Sequence, residues 1–337
     1  MSALRIPGLL LVAASGVWIA SACSSFGDAA TPEADAAPDV APPDARLGAP
    51  DAGDGGGDGG PMCTLATTPS VVATVKSAPS KLQSNGEHVF WIEGGASVQR
   101  ASLLDCSVSQ VAVGNINALA VDLQWIAWGK PTYEIVGRND VGTAPKSHPA
   151  ALSPSFLLAG GTAFWIDVGH IEACDTPCTA TTNAMPRPGT TLLAANALRF
   201  FFFGPDPDSG STGDLWWQAL TLSANDKIEG PLATGEDPIL LAPNDTSVFW
   251  VNADGQLKGL PSGGGTPIPL PKVAGARALA VDKSFVYVAT KTSIGRVPVG
   301  GGALVPVVDG EDDIRTLTLT SDAVLWGTSS AIRRVRK

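Results

Sequence analysis

Cysteine chemistry depends on where the fold puts each thiol. The body of this 337-residue chain carries Cys63, Cys106, Cys174 and Cys178. In an oxidising compartment four thiols leave three pairings open. Cys174 and Cys178 stand four apart across Asp-Thr-Pro, close enough to shut a small ring. Zinc is the competing use, but no second close pair or histidine spacing completes a four-ligand site. The histidines are His88, His148 and His170. His88 precedes an apolar strand-like run and reads as structural, whereas His148 and His170 fall near chain reversals, where a titrating group could meet a ligand.

The carboxylates suggest two further chemistries. Asp206, Asp208 and Asp214 lie in and beside a Gly-Pro-Asp-Pro-Asp-Ser-Gly-Ser-Thr-Gly loop. Their oxygens suit calcium, although a solvated turn that tolerates insertion explains the same residues. Asp309-Gly-Glu-Asp-Asp313 concentrates negative charge, including Asp312 and Asp313, and would repel anions and attract cations. H-E-x-x-H, G-x-S-x-G and P-loop patterns are all missing, so no catalytic residue is assigned and no cofactor is expected, calcium being the one metal left open. Gly55 to Gly60 spells G-x-G-x-x-G, but no strand precedes it and no helix follows.

A repeat must position these groups. Trp91, Trp128, Trp165, Phe202, Trp250, Tyr287 and Trp326 each sit in a short apolar strand pattern, at intervals of 37, 37, 37, 48, 37 and 39 residues. A mostly apolar run precedes each mark, as in Leu119-Ala120-Val121-Asp122, and a third strand follows most of them. Gly263 to Gly265 and Gly300 to Gly302 supply the unrestricted backbone of tight turns. No run shows helical 3.6 spacing after the N-terminal segment. Periods of about 40 with a repeated aromatic predict an all-β, seven-bladed β-propeller of four-stranded blades over residues 63–337. The last unit stops after its third strand, so Ser70 to Val75 is expected to complete it and close the ring.

Residues 1–22 read as a signal peptide: Arg5 is followed by an apolar run too short to span a membrane. Ala20-Ser21-Ala22-Cys23 permits lipidation of Cys23 or ordinary A-x-A cleavage. Residues 23–62 form an Ala/Asp/Pro/Gly-rich tether expected to be disordered. Residues 24–62 hold eight acids and one Arg, most of the formal net charge of −10. Nucleic acid is therefore disfavoured as a partner, and membrane association is expected through the anchor alone.

Ala20 to Cys23 resembles a bacterial lipoprotein signal, and Ser24 after it implies the outer membrane. Asp282-x-x-x-Val286-Tyr287, Asp245-x-x-x-Phe249-Trp250 and Ile294-x-Arg296 before a Gly-rich turn resemble the YWTD-type repeats of lipoprotein-receptor propellers. That resemblance implies a propeller and carries no catalytic residue. Two functions follow as expectations. The first is a monomeric binding or scaffolding module for an envelope protein or polysaccharide. The second is a channel-mouth enzyme, a metal-assisted hydrolase or lyase of polymers. The expected ligand face carries the second-to-third and fourth-to-first connections, with Lys130, Tyr133, His148, His170, Asp206, Asp208, Asp214, Glu236, Asp312 and Asp313. The pairing Cys63–Cys106 with Cys174–Cys178 has a geometric rationale, because Cys63 precedes the closing strand and Cys106 falls at a turn of the neighbouring blade.

Overall fold

The chain divides into two units, Met1–Gly56 and Gly57–Lys337. The computed structural model describes residues 63–337 except 124, 130–131, 138–145, 150–155, 160–161, 168–169, 176–182, 187–188, 206–212 and 221–228. Strand β1 (Ser70–Thr74) comes first and belongs to the last sheet. The first sheet is β2 (Pro79–Ser84), β3 (His88–Glu93), β4 (Ser97–Ser102) and β5 (Val108–Val113). The second is β6 (Ala118–Val121), β7 (Trp125–Gly129), β8 (Thr132–Gly137) and β9 (Lys146–Pro149). The third is β10 (Phe156–Ala159), β11 (Thr162–Asp167), β12 (His170–Asp175) and β13 (Asn183–Pro186). The fourth is β14 (Leu192–Ala195), β15 (Arg199–Gly204), β16 (Asp214–Ala219) and β17 (Glu229–Thr234). A three-stranded sheet follows, β18 (Pro238–Pro243), β19 (Ser247–Asn252) and β20 (Leu257–Pro261). Then come β21 (Ala278–Val281), β22 (Phe285–Ala289), β23 (Ile294–Pro298) and β24 (Val305–Val308). The closing sheet is β25 (Thr316–Leu319), β26 (Ala323–Gly327), β27 (Ala331–Arg336) and β1. Every sheet is antiparallel, and no helix occurs among the described residues.

The first strands neighbour one another in the closed order β2, β6, β10, β14, β18, β21, β25 and back to β2, so the sheets form a ring: this is a β-propeller. Six of the turns between first and second strands repeat one device. Asn85, Asp122, Asn196, Asn244 and Asp282 each accept, on Oδ1, backbone N–H groups two or three residues on, and Thr320 Oγ1 accepts from Ala323 N. Such side-chain-to-backbone turns reverse the chain and fix where the aromatic second strand begins. Between β23 and β24 the reversal instead uses left-handed backbone at Gly301 (φ 96°) and Gly302 (φ 135°).

Second strands are buried on both faces, which is why they read as unbroken apolar runs rather than alternating ones. Their side chains alternate between the two neighbouring sheets. Val248 and Trp250 pack with Phe201 and Leu215 of the fourth sheet, whereas Phe249 and Val251 pack with Val286 and Val288. Trp326 meets Tyr287 on one side of the closing sheet, and Leu325 meets Trp91 and Val89 on the other. Each core cluster is thus an interface between adjacent sheets.

Ring closure by the N-terminal strand holds: β1 pairs antiparallel with β27, Ser70 opposite Arg334 and Thr74 opposite Ala331. The expectation of four strands throughout is corrected. Six sheets have four strands, and β18–β20 has three. The chain after β20 runs Thr266-Pro-Ile-Pro-Leu-Pro271, and prolines at alternate positions have no N–H to give a ladder. Only the bridges Gly259 to Ile268 and Gln256 to Lys272 form there.

Candidate interaction face

Antiparallel order puts second-to-third and fourth-to-first connections on one face of the ring. Glu236, between β17 and β18, uses its carboxylate to hold its own sheet: it accepts from Trp250 Nε1 (3.2 Å) and Asn252 Nδ2 (2.8 Å), and pairs with Lys258 Nζ at 2.8 Å. Burial pushes this carboxyl up, but the hydrogen bonds from Lys258, Asn252 and Trp250 together outweigh burial and hold it below the ordinary carboxylate range. Glu311 does the same work in the closing sheet, accepting from Trp326 Nε1 (3.2 Å) and pairing with Arg333 at 2.8 Å. Asp313 lies between Arg277 (2.7 Å) and Arg315 (2.6 Å), whose hydrogen bonds lower its pKa. Much of the Asp309 to Asp313 charge is therefore neutralised within the fold.

Asp214 is buried at the start of β16 and accepts from Gly235 N. Asp312 is exposed, with Ser329 Oγ at 3.4 Å. His148 lies within β9, opposite Tyr133 of β8, rather than in a connection; His170 opens β12, opposite Asp167. Lys130, Asp206 and Asp208 lie outside the described residues, as do Cys23 and Cys178. No group of three or more His, Cys, Asp or Glu that could hold a metal occurs among the described residues. The expected face thus brings Glu236, Asp214 and Asp313 into structural roles and leaves Asp312 open to solvent.

The opposite face, where first-to-second and third-to-fourth turns emerge, carries two cavities. One of about 570 Å³ is lined by the turns of four successive sheets at Asn196, Asn244, Asp282 and Thr320. Asn196 Nδ2 donates to Asn244 O (2.8 Å), Asn244 Nδ2 to Asp282 O (2.9 Å), and Lys337 pairs with Asp282 (2.9 Å). This chain of bonds ties neighbouring turns into a rigid rim. The other cavity, about 580 Å³, sits at the seam between the first and closing sheets and shares Thr320. Its walls include His88, Leu103, Leu104 and Arg334. Large aliphatic side chains stand out on the turns of this face: Leu104 is 85% exposed, Leu123 83% and Leu198 69%.

The seam is where both ends of the domain meet. Cys63 is disulfide-bonded to Cys106, with Cα atoms 5.2 Å apart. Arg334 donates to the carbonyls of Leu103 (2.9 Å) and Cys63, and Arg336 to that of Leu65 (3.3 Å). The closing arginines therefore strap the lead-in to β1, a long-range role that a basic run does not announce in the sequence. Cys174 is also disulfide-bonded. Sequence reasoning missed Lys81, whose amine burial shifts down. The signal was present, because Lys81 is the only ionisable residue in the seven first strands.

No family model matches the chain, and no curated protein matches it. Solved structures do. A chain of a mitotic checkpoint complex matches with a TM-score of 0.64 at 12% identity, covering 86% of this chain and 97% of its own. The WD40 β-propeller domain of Doa1 matches with 0.61 at 13%, covering 80% and 96%. A computationally designed protein, Ika8, matches with 0.57 at 14%, covering 79% and 99%. At such identities the likeness shows the β-propeller fold and nothing finer.

Proposed function

We propose that this chain is a binding or scaffolding module for a protein or polymeric ligand, held at the outer membrane by a lipid on Cys23. One observation carries the binding reading: two cavities of about 580 and 570 Å³ open on one face and share Thr320, a concave surface on a rigid ring with exposed leucines around it. Glu236, one of the acids expected on the ligand face, is spent on Trp250, Asn252 and Lys258. We count β18–β20 as a full repeat, which makes the ring seven-bladed, and retain the kinship with YWTD-type repeats on its Asp282 and Asp245 turns. Cys178 is the proposed partner of Cys174, being four residues away across a turn.

Cross-linking in envelope extract tests the face. Leu123→Arg with Leu198→Arg should abolish capture of a specific partner, while Asp312→Arg should not. Loss with Asp312→Arg alone would move the surface to the side expected from sequence. Anchoring has its own test: Cys23→Ser should shift the protein from the membrane to the soluble envelope fraction, and an N-terminal peptide without an acyl mass increment in the wild type would refute it.

A further inference from the structure

We propose that the seam cavity is a carboxylate site, with Arg334 as its fixed cation and leucines as the wall for an aliphatic neighbour of that carboxylate. It rests on the reading of this face as the binding face and adds the ligand's chemistry. Arg334 is 4% exposed and is the one arginine buried outright among the described residues. Other cations here have acids: Arg333 has Glu311, Arg277 and Arg315 have Asp313, Lys258 has Glu236 and Lys337 has Asp282. Arg334 has only the neutral carbonyls of Leu103 and Cys63, and its Nε–H has no partner.

A guanidinium does not shed its proton on burial, so this positive charge persists beside the cavity without a bonded counter-charge. A carboxylate matches its planar donors better than any other common anion of peptides. His88 lines the same cavity, and its Nδ1 is buried without a partner, a second polar group left to a ligand. Burial keeps that imidazole below its usual pKa and therefore neutral near pH 7, so it adds hydrogen bonding without a second cation. Leu65, Leu103 and the exposed Leu104 supply apolar wall. Glu87 and Asp322 also line the cavity; neither is within ion-pair distance of Arg334, Asp322 acts on it only as a nearby charge, and the two acids disfavour ligands of higher negative charge.

The ligand is a separate peptide that carries an acidic residue beside an aliphatic one, matched by the guanidinium and the leucine wall. The test titrates N-acetyl-Asp-Leu-amide, and its Asn-Leu counterpart, into the ¹⁵N-labelled full chain while following the Arg334 Nε–H resonance. The acid should shift it saturably and bind roughly tenfold tighter than the amide, as one charge-assisted bond implies. Leu104→Ser, at a side chain too exposed to matter for folding, should weaken binding about threefold. Equal affinity for acid and amide, or an Arg334 resonance that stays fixed throughout, overturns the proposal. A partner captured on this face that the acidic probe does not displace would leave the face standing and remove the carboxylate site.

Discussion

Two glutamates show how a single side chain serves a propeller sheet. Glu236 and Glu311 both arrive from a fourth-to-first connection, accept the indole N–H of the second-strand tryptophan, and pair with the cation opposite it on the third strand, Lys258 facing Trp250 and Arg333 facing Trp326. Without that acceptor the buried indole would lose a hydrogen bond and the cation its partner. Because the folded-state pKa of Glu236 is depressed, its contribution is complete above the ordinary value of 4.5 and is lost as pH falls through the lower folded value. Glu236→Gln should therefore cost about 1 kcal/mol at pH 7, a modest figure because Lys258 is partly exposed, and the cost should shrink below about pH 4.5. Denaturant titrations of both proteins at pH 7 and pH 3 measure this, and an unchanged difference would count against the assignment. From sequence alone Glu236 read as a ligand group, since a carboxylate in a connection looks free until the indole it caps is placed in space.

Strands and turns were far more legible than side-chain partners. Every aromatic mark from Trp91 to Trp326 falls within a second strand, because a strand buried on both faces leaves an unbroken apolar run, and here that run also carries the large aromatic. An Asn or Asp opens most of the described first-to-second turns, and the hydrogen bonds it accepts from backbone N–H groups two or three residues on supply the reason for it. Where the reading erred, proline was the cause. Pro267, Pro269 and Pro271 stand at the length and place of a fourth strand, yet they deny it the donors of a ladder, and the edge of β20 is covered by a chain with few backbone bonds to offer. The arginines of β27 were illegible for a different reason. Charge at a chain end suggests solvent, but Arg334 and Arg336 turn back onto the carbonyls of residues 63 and 65, more than 250 positions away in sequence, and no local pattern announces such a contact.

At the scale of the ring, closure couples all the sheets. Each first strand touches two others in a cycle, and the closing sheet is assembled from both ends of the domain, with the Cys63–Cys106 disulfide fastening the lead-in to the first sheet. A sheet opened at this seam would expose Trp91, Leu325 and Ile332, now buried around Val72, and would leave two strand edges unpaired. Partial opening is therefore nearly as costly as full unfolding, and the domain should unfold in one step rather than sheet by sheet, unlike an open repeat array whose ends can fray. Val72→Asp places an unpaired acid at a site 3% exposed and should cost about 3 to 5 kcal/mol. Val71→Asp, next to it at 54% exposure, should stay within about 0.5 kcal/mol of wild type. Denaturant unfolding followed by tryptophan fluorescence and by circular dichroism should show the Val72→Asp midpoint lowered with both probes still coincident. Two separated transitions would mean that the closing sheet opens independently and that the seam does not lock the ring.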